Sequence, residues 1–172
     1  NIILVGDPGR VEMVSSYFSK IECKISNREF YTHTCYFNNK KITVLSTGIG
    51  TDNIDIVVNE LDALVNIDLE KRQVKSAHKT LNLVRLGTSG GLQSDVLIDS
   101  FLVSQSSIGF DGLLNYYKDR NKISDLNFEK AFIEFMQWNP LLPKPYVVDC
   151  SEMLLNKLGN GLKKGINISA SG

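Results

Sequence analysis

Three short apolar runs in this chain each end in glycine, and that pattern limits the fold more than any other feature. Ile2 to Val5 runs into Gly6 and Gly9, Lys41 to Ser46 into Gly48 and Gly50, and Leu81 to Leu86 into Gly87, Gly90 and Gly91. Seven of the 13 glycines lie in these three places. An unbroken run such as Ile2-Ile3-Leu4-Val5 suits a strand covered on both faces. Glycine at the carboxyl end of a strand permits positive φ and lets backbone N–H groups approach a ligand, and open α/β sheets bind ligands outside those ends. The alternative is that these glycines serve strand-to-helix turns alone.

The remaining pattern is that of an α/β chain. Asp7-Pro8 reads as N-cap and first helical position, followed by Val11, Val14 and Phe18 at helical spacing. Arg28 to Phe37 and Lys41 to Ser46 predict two strands joined by the turn Asn38-Asn39-Lys40. Ile54, Val57, Val58, Leu61, Leu64 and Val65 predict a helix whose end no glycine or proline marks, and positions 66–80 read as a polar surface insertion. A strand beginning at Phe101 runs toward Gly109-Phe110-Asp111-Gly112. Phe128, Phe132, Phe135 and Met136 predict a helix ending before Asn139-Pro140. Ser151 to Leu158 predicts another, with Ser151 as N-cap and Gly159 as its stop, and Ile166 to Ala170 a closing strand. The expectation is one α/β domain over residues 1–172, with a central mixed sheet flanked by helices. It is expected to be incomplete at both ends: Asn1 leads directly into a strand, and Ser171-Gly172 follow one immediately.

Charge excludes several classes. Nineteen basic and nineteen acidic side chains cancel, so no global field recruits nucleic acid or an anionic membrane. No apolar run approaches the ~18 residues of a membrane span. Cys23, Cys35 and Cys150 are odd in number and lack CxxC spacing, which fits reduced thiols in a cytoplasm and offers no structural zinc site. No P-loop string occurs, and Gly48-Ile49-Gly50-Thr51-Asp52-Asn53 fails the dinucleotide fingerprint at its last position.

The arginines point elsewhere. Three of only five, against fourteen lysines, sit in or beside the glycine elements: Arg10, Arg28 and Arg85. Arg10 falls in a first helical turn, where a cation is disfavoured by ~0.3–1 kcal/mol unless an anion is near. Arg85 interrupts Leu83-Val84-Arg85-Leu86, a setting in which a buried guanidinium needs an anion. A buried ion pair is the other reading of Arg85, and an exposed strand-edge pair with Glu29 that of Arg28. Glycine backbone with converging guanidinium forks describes an oxyanion site, and phosphate fits it best. His33 and His78 are available for acid–base chemistry but sit in an alternating strand and the polar excursion.

Four segments in order, Gly6-Asp7-Pro8-Gly9-Arg10-Val11-Glu12, Asn27-Arg28-Glu29-Phe30, Ser46-Thr47-Gly48-Ile49-Gly50 and Arg85-Leu86-Gly87-Thr88-Ser89-Gly90, resemble the nucleoside phosphorylase family, closest to its uridine phosphorylase branch. The resemblance implies reversible cleavage of a nucleoside by inorganic phosphate, giving a free base and ribose 1-phosphate, with a pyrimidine nucleoside such as uridine as substrate. It implies phosphate binding by Gly6, Arg10, Arg85, Gly87 and Thr88, with Arg10 and Arg85 as catalytic groups. Arg28 is implied to act across a homodimer, within a dimer or hexamer, on the neighbour's phosphate. Ser89 and Gly90 fall where the family's loop approaches the nucleoside. Phosphate is the co-substrate and no further cofactor is implied. No metal is assigned: the resemblance would let Glu29 serve as a ligand to a monovalent cation between subunits, but Asn53 stands where a hydroxyl would be expected. The family's downstream base-binding and ribose-binding segments do not occur before Gly172; Ile166 to Gly172 resembles the strand leading into the base loop. The alternatives are a nucleoside hydrolase of the same fold and a non-catalytic nucleoside- or phosphate-binding protein.

Overall fold

The computed structural model describes residues 1–170, which form two compact units, the first over residues 1–89 and the second beginning at Gly90; Ser171 and Gly172, the end of the run expected to lead into a base loop, lie outside the described residues. In the first unit β1 (Ile2–Val5) is followed by α1 (Gly9–Ser15), β2 (Lys20–Asn27), β3 (Phe30–Phe37), β4 (Lys40–Ser46) and α2 (Thr51–Asn66). A two-stranded ribbon, β5 (Ile67–Asp68) and β6 (Gln73–Val74), then precedes β7 (Leu83–Leu86).

The first unit is built on a five-stranded mixed sheet of order β2-β3-β4-β1-β7. Strand β1 runs parallel to both β4 and β7, whereas β2, β3 and β4 are linked antiparallel. The unbroken apolar run of β1 is used on both faces, as period-two alternation requires. Ile2 and Leu4 pack with Leu45 and with Val57 of α2, while Val5 packs with Val44 and with Val11 of α1. Helices thus flank the sheet, as expected of the α/β class.

Local chemistry explains most boundaries. The β3–β4 turn is formed by Asn38 and Asn39, both at positive φ (46° and 61°), a conformation asparagine tolerates in tight hairpins. The expected strand from Arg28 begins two residues later. Arg28 is at φ 54° and, with Glu29, makes the turn joining β2 to β3. The polar excursion holds the answer to what ends α2: Asn66 donates to Asp62 and the Lys79 carbonyl, accepts from the Lys79 N–H, and Lys75 Nζ donates to the Leu64 and Val65 carbonyls. Side chains from the returning ribbon replace the missing glycine cap.

The second unit contains β8 (Leu102–Gly109), α3 (Leu126–Phe135), β9 (Tyr146–Asp149), α4 (Glu152–Leu158) and β10 (Lys163–Ser169). Its three-stranded sheet has order β10-β8-β9, with β10 parallel and β9 antiparallel to β8. Ser151 caps α4 by accepting from the Leu154 N–H, and Gly159 ends it. Phe110, Phe132 and Trp138 cluster with ring centroids 5.0–6.1 Å apart, which places these aromatics in the packing of the unit. Strand β9 was not expected; Pro140, Pro143 and Pro145 obscure its approach.

His33 belongs to the packing of the first unit. It is fully buried on β3, with Nδ1 2.7 Å from Ser15 Oγ, and burial, aided by the Lys24 charge, holds its pKa below the ordinary histidine value. Neutral histidine is therefore favoured in the fold, and Glu12 opposes this only in part. Below about pH 6.5 the unfolded chain takes up a proton that the folded chain resists, at up to about 1.4 kcal/mol of stability per pH unit. Melting temperature is expected to be level above pH 7 and to fall from pH 6.5 to 5.5, and a His33→Gln variant to show a flatter profile over that interval.

Candidate active site

The carboxyl ends of β1, β4 and β7 open onto one cavity of about 740 Å³. Gly6, Asp7, Pro8 and Arg10 line it from the β1–α1 turn, Gly48, Ile49 and Asn53 from the β4–α2 turn, and Arg85, Gly87 and Thr88 from the end of β7. Glu29 enters from the β2–β3 turn. The parallel register sets the level of these turns: Val5 stands opposite Ser46 on one side and Leu86 on the other. Thr47, fully buried, then ties the next step of β4 back to β1, its N–H donating to the Val5 carbonyl at 2.8 Å and its hydroxyl at 3.3 Å.

The three turns come close together, and at Gly48 both close approach and backbone angle require glycine. A Cβ on Gly6 would lie 3.8 Å from both Arg85 Nη2 and the Gly48 carbonyl oxygen, so all three turns meet at that point. A Cβ on Gly87 would crowd Arg85 Nη1 at 3.1 Å. Gly48 has φ +70°, and a Cβ there would come within 2.8 Å of Asn53 Nδ2 and Glu29 Cγ.

The guanidinium groups are free to take an anion. Arg85 does not sit in the core: β7 is an edge strand whose first two residues are half-buried, and Arg85 emerges exposed near its carboxyl end. Among the described residues neither Arg10 nor Arg85 makes an ion pair, so the buried-pair reading of Arg85 is overturned. The first-turn amides of α1 contribute less than expected. Gly9 N–H donates to Asp7 Oδ1 at 2.8 Å, and those of Arg10 and Val11 donate to the Asp7 and Pro8 carbonyls. Positive charge at the cavity therefore rests on the two side chains.

The structure gathers Gly6, Arg10, Arg85, Gly87 and Thr88 around this cavity, and leaves Arg28 out of its lining. Arg28 faces a smaller cavity of about 390 Å³, lined also by Asn27, Phe30, Ile56 and Glu60, which shares Glu29 and Asn53 with the first. Ser89 closes the first unit and Gly90 opens the second, and neither lines the cavity. His78 is exposed in the excursion. Ser46 and Thr47, both fully buried, support these turns, and their only mark in the sequence is two consecutive hydroxyls between an apolar run and a glycine.

Similarity to known proteins bears on this arrangement. The sequence model of the phosphorylase superfamily matches residues 2–172. A uridine phosphorylase of Treponema pallidum is 34% identical over 116 residues, which is 67% of this chain and 40% of that protein. A DeoD-type purine nucleoside phosphorylase of Alkaliphilus metalliredigens is 29% identical over 167 residues, 94% of this chain and 60% of the relative. The crystal structure of a Trypanosoma brucei nucleoside phosphorylase, described as showing uridine phosphorylase activity, superimposes with a TM-score of 0.80 at 28% identity, over 99% of this chain and 62% of that one. The chain thus spans about half the length of the relatives it matches. A match across nearly every residue, on a fold that presents glycine turns and two unpaired arginines at adjacent strand ends, makes this chain a member of the phosphorylase superfamily.

Proposed function

We infer that the protein is a nucleoside phosphorylase that uses inorganic phosphate to release the base of a nucleoside, with uridine as the preferred substrate. The observation that carries this is the pair of guanidinium groups, Arg10 and Arg85, without carboxylate partners on one glycine-walled cavity. Both present rigid forks suited to phosphate oxygens, and Thr88 adds a hydroxyl. In the reaction a phosphate oxygen bonds to the anomeric carbon as the carbon–nitrogen bond breaks; the bonding pair leaves with the base, which gains a proton from solvent. The sugar passes through a cation-like state that the held phosphate stabilises, so positioning and charge suffice without a side-chain nucleophile.

The uridine reading is supported by the names of the Treponema relative and the Trypanosoma structure. Purine nucleosides are the second reading, favoured by the DeoD-type relative that matches 94% of this chain. Ser89 and Gly90 then approach the nucleoside. Arg28, exposed and away from the cavity, serves the site of a neighbouring copy in a dimer or hexamer. Phosphate is the co-substrate, no other cofactor takes part, and the enzyme works in the cytoplasm. Among the described residues no helix is long and apolar enough to cross a membrane.

The test is base release by the full-length protein from uridine and from inosine, with and without phosphate. Release that needs phosphate and yields one ribose 1-phosphate per base supports the reading. An equal rate in its absence identifies a hydrolase, and no release from either nucleoside leaves a binding protein.

A further inference from the structure

Two carboxylates line the cavity beside Arg10 and Arg85: Asp7 and Glu29. Either one, on a rotatable side chain, is a built-in competitor for the anion these arginines would bind. Both are held. Asp7 Oδ1 accepts from the Gly9 N–H within its own turn. Glu29 is held across elements: its Oε1 accepts from Asn53 Nδ2 at 3.2 Å, and the same amide donates to the Ile49 carbonyl at 3.1 Å. Because both partners are acceptors, only the nitrogen of Asn53 satisfies them. The Glu29 backbone is fixed as well, since the fully buried Ser46 hydroxyl donates to its carbonyl at 2.7 Å and accepts from the Tyr31 N–H at 2.7 Å. Gly48 leaves the space in which the Asn53–Glu29 bond forms.

We propose that Asn53 is a positioning residue that keeps the Glu29 carboxylate off Arg10 and Arg85, so that the cavity stays open to an external oxyanion. Glu29 lines the same cavity as both arginines yet pairs with neither. Loss of the amide frees the carboxylate to swing toward a guanidinium and act as a tethered inhibitor. The proposal rests on the phosphate reading above.

The experiment is calorimetric titration of the full-length protein with inorganic phosphate. Asn53→Ala weakens phosphate binding by about tenfold, the effect of one neighbouring charge of about one pK unit. Adding Glu29→Gln to that variant restores binding most of the way to wild type, because the competitor is now neutral. Alanine favours the helix at position 53, so the fold is retained, and a melting curve checks it. Wild-type affinity in Asn53→Ala overturns the proposal and leaves the phosphate reading standing. A weakened Asn53→Ala that Glu29→Gln does not rescue also overturns it, since the role is then structural. Wild-type protein that takes up no phosphate ends both.

Discussion

Replacing Arg85 by alanine in the full-length protein is expected to lower phosphate-dependent base release by about a hundred- to a thousandfold, the usual cost of removing one preorganised donor from a developing charge. Each charge-assisted bond to phosphate is worth roughly 1.5–3 kcal/mol, and a guanidinium fork makes two when it binds side-on. The loss falls on function because, among the described residues, the Arg85 side chain has no hydrogen bond or ion pair, and its backbone pairing with β1 survives the substitution. It is exposed at the end of an edge strand and has no ion pair among the described residues. Melting temperature is therefore expected to stay close to wild type. Arg85→Lys keeps the charge but loses the fork, and an intermediate rate is expected. Rates measured against phosphate concentration, beside a thermal melt, check the result. Near-normal turnover in Arg85→Ala contradicts the assignment.

The largest expected loss of stability lies in the second unit. Glu129 of α3 is 1% exposed and holds three groups: Arg120 Nη1 at 2.9 Å, the Val147 N–H at 3.2 Å and Lys144 Nζ at 3.7 Å. It thereby joins α3, a 3-10 turn at Arg120–Lys122 and β9. The Arg120 side chain is itself only 10% exposed, and its Nε and Nη2 have no hydrogen-bond partner among the described residues. Glu129→Ala takes the paired carboxylate from a nearly buried guanidinium, whose Nη1 keeps only the Asn121 Oδ1 acceptor at 2.9 Å, and leaves the buried Val147 amide without its side-chain acceptor, at about 3–5 kcal/mol. Because the pair is incompletely satisfied to begin with, the double change Arg120→Met with Glu129→Leu is expected to recover most of that loss. Denaturant unfolding of the three proteins checks this. A cost below about 1 kcal/mol for Glu129→Ala places the pair among ordinary surface contacts.

Much of the fold was legible where one local rule acted alone. The uninterrupted β1 reads as doubly covered, and its alternate residues do pack toward α1 and α2. Ser151 and Gly159 bound α4 as capping chemistry requires. Elements escaped where tertiary context decides. Strand β2 is exposed along its whole length at the sheet edge, so the alternation of Ile21, Cys23 and Ile25 does not mark a core face. The end of α2 depends on Asn66 and on Lys75 from the returning ribbon, a contact no local pattern encodes. At the site, glycine spacing and scarce arginine point to Gly6, Arg10 and Arg85, whereas Thr88 follows from the family resemblance alone. That Arg28 turns outward follows from its positive φ in a turn without glycine, which its sequence neighbours do not announce.

Arg10, Arg85 and Thr88 are expected to hold one oxyanion between the ends of β1, β4 and β7. A crystal structure of the full-length protein grown with inorganic phosphate tests it most directly. The expected result is phosphate within hydrogen-bond distance of both guanidinium groups and the Thr88 hydroxyl, with Glu29 still bonded to Asn53. Phosphate bound elsewhere, or Arg10 and Arg85 each paired with a carboxylate while the cavity holds no anion, rules out a phosphate site at these strand ends.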